Sequence, residues 1–341
     1  MRRAILAAVV LLAALGIALP RTPFGQRLLY GGPAPLPGKV PVPVPGTVPP
    51  SPALKIAFLG DSGAAESFSR VLALVRLERA DAVVHLGDAA YEGETAGDFW
   101  GMIDRELGHG YPYFLAQGNH DLEQWRGHAE HAWAHLRQSG AVTDSTSLVD
   151  PRFALVFRGV SMLFVGESVA DDDPRRIVDR YARDPHIWKV CAWHKNQTAM
   201  QLGGKGDWTG WGIYESCRQM GAFVVTGHEH SYHRTRTLRS TIEQTVDPTC
   251  ADAKRVCVRP GAVPVFVSGL GGHSVRVQRR CLPATYPYGC NGEWAYAYTA
   301  NQGAKFGALF VVFGDGDARR GRGYFKNVDG QVVDEFELVA E

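Results

Sequence analysis

The chain has 341 residues, and 36 basic against 35 acidic side chains leave a formal charge of +1, so no bulk field steers it toward nucleic acid or polyphosphate. Hydrophobic residues at 45% and charged residues at 21% are globular composition and exclude a disordered protein. No Gly-X-Y period, heptad run or longer repeat is visible, which excludes fibrous and solenoid folds.

In chain order, Arg2 and Arg3 precede an unbroken apolar run from Ala4 to Leu19. A basic start before an apolar core is the pattern of a secretory signal; the run also approaches the length of a membrane anchor. Residues 1–20 are therefore read as a signal peptide or membrane anchor. Gly16-Ile17-Ala18 offers a small-x-small cleavage site, and Arg21 and Arg27 just beyond weaken the charge asymmetry across the run. Residues 21–52 are a Pro-rich linker containing PAPLPGKVPVPVPGTVPPSP, expected to be extended and semi-rigid. Residues 53–341 are expected to form the globular domain, exported to the periplasm or the exterior, or anchored with the domain outside.

The body opens with alternating elements. Leu54–Leu59 reads as a buried strand ending in Gly60-Asp61. Val71, Leu72, Leu74 and Val75 carry a helical period over Phe68 to Ala80. Ala82–Leu86 is a second strand ending at Gly87-Asp88, a helix follows over Asp98 to Leu107, and Tyr113–Ala116 is a third strand ending at Gly118-Asn119-His120-Asp121. Strand–helix–strand units of this length build a mostly parallel sheet. Phe153–Phe157 and Ser161–Val165 read as a hairpin. Strands at Ile187–Ala192 and Ala222–Thr226 run into His194 and His228, and strands at 263–267, 308–313, 324–327 and 332–338 follow. The expected fold class is α/β, with two packed mixed β-sheets flanked by helices, the later and more antiparallel sheet lying on the first. Of the six cysteines, Cys250 and Cys257, and Cys281 and Cys290, are expected pairs; Cys191 and Cys217 are a third bridge or two buried thiols.

Asp61, Asp88, Asn119, His194, His228 and His230 all sit just past strand C-termini, where open α/β sheets place their ligand crevice. Oxygen and imidazole donors of this kind hold zinc, iron or manganese. One such Asp reads as a helix cap and one such Asn as a turn residue, but recurrence at five strand ends does not.

With Gly60-Asp61-Ser62-Gly63, Gly87-Asp88-Ala89-Ala90-Tyr91, Gly118-Asn119-His120-Asp121, Trp193-His194 and Gly227-His228-Glu229-His230 in this order, the chain resembles the calcineurin-like metallophosphoesterases over residues 54–233. Within them it is most similar to the purple acid phosphatases. Gly63 stands where the wider superfamily has a metal-binding His, and Tyr91 stands where the purple subgroup has a metal-bound tyrosinate; Gly269-Leu270-Gly271-Gly272 adds to the likeness. The resemblance implies two metal ions, Fe(III) plus a divalent ion (Fe, Zn or Mn). Asp61, Tyr91 and His230 would hold the first, Asn119, His194 and His228 the second, and Asp88 would bridge them. It also implies hydrolysis of phosphate monoesters by a hydroxide that the cations activate. A diesterase or nucleotidase of the same superfamily, and a binding module without turnover, are the alternatives.

His120 is expected to contact phosphate or protonate the leaving oxygen, with Asp121 as its orienting partner. The further catalytic histidines of the purple subgroup have no clear counterpart. Lys195, His233 and His273 are the candidate substrate contacts. The expected partner is a small phosphoester, with no nucleic-acid signal and a membrane tether only through the N-terminal run. Asn196-Gln197-Thr198 is formally a glycosylation sequon, but a glycan beside His194 is not expected. The loop from Gly203 to Gly212, with Trp208 and Trp211, is read either as a cover for the site or as a surface loop pinned by its tryptophans.

Overall fold

The structure, a computed structural model, describes residues 53–168, 172–206 and 209–341. The signal or anchor expected at 1–20 and the linker expected at 21–52 lie outside the described residues. Among the described residues no helix is long and apolar enough to cross a membrane.

In chain order the strands are β1 (Leu54–Leu59), β2 (Ala82–His85), β3 (Tyr113–Leu115), β4 (Val142–Thr143), β5 (Phe153–Phe157), β6 (Val160–Phe164), β7 (Trp188–Trp193), β8 (Phe223–Thr226) and β9 (Tyr232–Thr235). They continue with β10 (Leu238–Ser240), β11 (Thr245–Val246), β12 (Arg255–Val258), β13 (Val265–Ser268), β14 (Trp294–Tyr298), β15 (Gly307–Phe313), β16 (Arg320–Asn327) and β17 (Val332–Ala340). Among them run helices α1 (Glu66–Leu77), α2 (Ala96–Leu107), α3 (Trp125–Gln138), α4 (Asp173–Tyr181) and α5 (Trp211–Gln219).

Two large mixed sheets form the core. One has the order β12-β17-β16-β15-β1-β2-β3 and the other β14-β9-β13-β8-β7-β6-β5-β4. Their inner faces meet through aromatic contacts such as Phe58 with Phe223, Phe114 with Phe157, and Phe266 with Phe336. The expected division into an early sheet and a later one needs correction. β12 and β15 to β17 join the first sheet, with β15 antiparallel to β1, while β4 to β9 build the second together with β13 and β14. The reason is β1. It is buried and central, so it needs a partner on each edge, and only β2 supplies one locally.

Local chemistry sets the helix ends. The α2 start lies at Ala96, two residues before the expected one, because Thr95 and Asp98 form a capping box: the Thr95 hydroxyl accepts the Asp98 N–H at 3.1 Å and the Asp98 carboxylate accepts the Thr95 N–H at 2.9 Å. Disulfides Cys250–Cys257 and Cys281–Cys290 pair as expected, and the open alternative for Cys191 and Cys217 resolves as a bridge between β7 and α5.

Candidate metal centre

Every candidate donor stands on a turn leaving a strand end. Asp61 follows β1, Asp88 follows β2, Asn119 follows β3, His194 follows β7, and His228 and His230 lie between β8 and β9. Asp61, Asp88 and His228 have left-handed φ of 59°, 57° and 70°. Non-glycine residues hold that conformation only where the surroundings impose it, and such strain clusters at functional sites. The turns also approach one another closely. A Cβ at Gly118 would collide with the backbone nitrogen and Oδ1 of Asp88, so only glycine lets the β2 and β3 turns meet.

The donors converge into two groups that share Asp88. Asp88, His194 and His228 present ligand atoms within 4.8 Å of one another, and so do Asp61, Asp88 and His230. His194 donates Nδ1–H to the Leu86 carbonyl at 2.7 Å, which turns Nε2 inward to 3.2 Å from both Asp88 Oδ2 and Asn119 Oδ1. His228 Nδ1 lies 3.1 Å from that Nε2. On the other side, the Tyr91 hydroxyl lies 3.3 Å from Asp88 Oδ2 and 3.4 Å from His230 Nε2, and His230 Nε2 lies 3.4 Å from Asp61 Oδ1. Ser274 Oγ, 2.5 Å from His230 Nδ1, sets that ring's orientation. Thus the structure brings together all seven residues expected to bind metal.

The electrostatics suit cations. Burial opposes ionisation of Asp88, but the His194 imidazole and the His120 N–H hold its carboxyl well below the usual carboxylate range. Burial would also lower His194; the Asp88 carboxylate outweighs it and pushes the imidazole up to about 9. Burial first, then the Asp61 and Asp88 carboxylates, push the Tyr91 phenol far up, so a phenolate there needs a cation beside it. Carboxylate, amide, imidazole and phenol donors fit two hard or borderline metal ions.

The remaining expected site residues divide. His120 is exposed at the cleft, its ring 4.5 Å from that of Tyr91, and its N–H donates to Asp88 Oδ1 at 3.0 Å. Asp121 does not orient it. The buried Asp121 carboxylate accepts the N–H groups of Gly118, Ala89 and Asp88 at 2.7, 2.8 and 3.0 Å, stapling the β2 and β3 turns together. Burial, then the neighbouring Asp88, push its carboxyl up to about 7. His273 is exposed and stacks on Tyr91 with ring centroids 3.5 Å apart. His233 does not face the cleft. It is fully buried on β9, with Nδ1 near Ser231 Oγ and Nε2 accepting the Leu202 N–H, because it lies one residue into a core strand. Lys195 forms an ion pair with Glu167, a residue the sequence did not single out. Asn196 is buried and donates to Thr226 Oγ1 at 2.7 Å, which leaves no room for a glycan. Of the two loop tryptophans, Trp211 opens α5 and packs on Tyr214, while Trp208 lies outside the described residues.

The sequence profile of the calcineurin-like phosphoesterases matches residues 54–232, more than half the chain. The chain belongs to that family. Two mixed sheets flanked by helices, with donors at the strand ends between them, are its fold here. Among curated proteins none matches the sequence. Solved structures do. A purple acid phosphatase from yellow lupin (Lupinus luteus) seeds superposes with a TM-score of 0.59 at 15% identity, covering 87% of this chain and 55% of that one. GAP50, the anchor in the inner membrane complex of Plasmodium, gives 0.54 at 10% identity over 85% and 89% of the two chains. PhoD gives 0.54 at 11% identity over 88% and 72%. This chain therefore spans little more than half the length of the lupin enzyme, and identities this low establish the fold alone.

Proposed function

We propose that the chain hydrolyses phosphate monoesters at a dinuclear metal centre in the manner of a purple acid phosphatase. One observation carries the reading: two donor groups share Asp88, and the one formed by Asp61, Asp88 and His230 has a tyrosine hydroxyl within reach. In this reading Asp61, Tyr91 and His230 hold one ion, Asn119, His194 and His228 hold the other, and Asp88 bridges them. A phenolate is a hard anionic donor and favours Fe(III), with a divalent ion in the second position. Bound there, the two ions would neutralise charge on the phosphoryl oxygens and make water a nucleophile at neutral pH.

The chain's own groups do the rest. His120, exposed on the cleft and tied to Asp88 through its N–H, protonates the leaving oxygen. Tyr91, packed between His120 and His273, is held in register for the first ion. Three disulfides suit a compartment outside the reducing cytoplasm, in keeping with the signal or anchor expected at 1–20 and the linker expected at 21–52.

The test is metal analysis of the purified protein together with a panel of aryl and alkyl phosphate monoesters and bis(p-nitrophenyl) phosphate. Two metals per chain, iron among them, with monoesters turned over at least about tenfold faster are expected. A diester preference, or full activity with zinc alone in a colourless protein, would overturn the subgroup reading.

A further inference from the structure

The segment after His194 doubles back toward the metal centre and is fixed along its length. The Leu202 carbonyl accepts the N–H groups of Arg279 and Arg280 at 2.9 and 3.0 Å. Gln201 Nε2 and Thr198 Oγ1 donate to the Lys205 carbonyl at 2.9 and 3.2 Å. Between these anchors, Gly203 lies against the carboxyl group of Glu229, and a Cβ at Gly203 would collide with it. Glu229 itself stands between His228 and His230, is 1% exposed, and has no hydrogen-bond partner on either carboxylate oxygen. The Arg276 backbone N–H donates to the His230 carbonyl at 2.9 Å. Arg276 therefore starts from beside His230, and Lys205 lies two residues beyond the glycine that meets Glu229.

Several shielded cationic side chains elsewhere are matched: Arg158 with Asp81, Arg218 with Glu215, Arg234 with Asp334, and Lys195 with Glu167. Lys205 and Arg276 make no side-chain hydrogen bond or ion pair among the described residues, although both are half-buried. Burial, then the charge of Arg276, hold the Lys205 ammonium below the ordinary lysine range, and Asp61, Glu229 and Asp88 act on it in the opposite sense. Two half-buried cations that both act on the Glu229 carboxyl, yet are bonded to no carboxylate, are stabilised when an anion lies between them.

We propose that Lys205 and Arg276 form an anion-binding arm leading out from the metal centre, so that the preferred substrate carries a second phosphate or carboxylate on its leaving group. Glu229 and Gly203 form the floor that holds the arm in place. The inference rests on the phosphomonoesterase reading and narrows its substrate class.

The test uses a matched pair: 3-phosphoglycerate, which carries a carboxylate beside its phosphate ester, and glycerol 3-phosphate, which does not. Wild-type protein is expected to favour 3-phosphoglycerate in kcat/KM by on the order of tenfold, a size typical of one charge-assisted contact. Lys205→Met and Arg276→Gln should bring that ratio close to one, whereas Lys205→Arg and Arg276→Lys should keep part of it. A wild type without preference, or variants whose activities fall equally on both esters, would overturn the arm. If wild-type protein turned over neither ester under any metal loading, the hydrolase reading would fail. The arm is then judged by calorimetric titration of metal-free protein. Tighter binding of 3-phosphoglycerate that the double variant Lys205→Met/Arg276→Gln abolishes supports it, and equal binding of the two esters overturns it.

Discussion

This fold holds two groups of histidines, and they differ in what surrounds them. His194, His228 and His230 stand on turns past strand ends and meet Asp61 and Asp88 in one crevice. His85, His128 and His135 lie beneath, among aromatic rings: His85 against Phe68, Phe99 and Tyr113, His128 against Phe99, and His135 against Trp100. Burial, with His194 adding to it, lowers His85 to about 3; burial, then His131, lowers His128 to about 4. Imidazole alone does not make a site. The first group has carboxylates that attract positive charge, while burial among the rings pushes the His85 and His128 imidazoles down.

The largest expected effect tests the shared carboxylate. Asp88→Asn should lose metal from both positions and lower hydrolysis by on the order of 10³-fold or more, because one substitution strips charge from two ions. Metal content by plasma spectrometry and single-ester kinetics decide it; two ions retained with activity intact would remove Asp88 from the bridge. His120→Ala comes next. It should leave metal content near wild type and lower turnover by about 10²–10⁴, the usual range for a lost general acid. p-Nitrophenyl phosphate, whose leaving group needs no proton, should suffer less than an alkyl phosphate. An equal loss on both would make His120 a phosphate contact instead.

Tyr91→Phe keeps the ring, and with it the packing on His120 and His273, but removes the donor oxygen. The visible absorption of the iron-loaded protein should vanish while its circular dichroism stays unchanged, and the first metal should exchange faster. A variant that stays coloured would place the phenolate elsewhere.

The smallest effect lies in the aromatic group. Both ring nitrogens of His128 are buried without a hydrogen-bond partner. A histidine with a depressed folded value binds no proton as pH falls below its unfolded value near 6.5, while the unfolded chain does, so stability drops from there down to about pH 4. His128→Leu removes that proton and two unsatisfied nitrogens at once. Its melting temperature should be no lower than wild type at pH 7.5, and its advantage should grow by a few degrees at pH 5. A lower melting temperature at both values would show that the imidazole has a partner in solution.

How much of this was legible in the sequence follows from the physics of each element. Strands such as β1, β2, β7 and β15 announced themselves because buried strands read as continuous apolar runs, whereas β9, β12 and β14, short or interrupted by polar residues, did not; the site was legible because its donors repeat at strand ends. Helix α3 did not, since its buried face has large apolar residues only near its ends, Trp125 and Leu136, with Ala129, Ala132, His128 and His135 between them, which leaves little hydrophobic periodicity. Helix α4 is hidden for a related reason: only Ile177, Val178 and Tyr181 among its apolar residues face inward from a charged stretch. His233 and Asp121 carried the right residue types in the right motifs, but side-chain direction and backbone hydrogen bonding gave them other work. Glu229 was visible inside Gly-His-Glu-His, yet nothing in one sequence says that its carboxylate is buried without a partner. The pairing of β15 with β1 spans most of the domain and had no local signal at all.

That pairing also sets an order in time. During synthesis β1 and the turn bearing Asp61 emerge first, but β1 gains its second edge only when residues 307–313 arrive. Contacts this distant in sequence form late, after the entropy of closing a very long loop has been overcome. Until then the centre of the first sheet keeps an open edge on an apolar strand, the kind of surface that aggregates or engages chaperones. The metal-binding turns of this domain can therefore reach their final spacing only once nearly the whole chain is present.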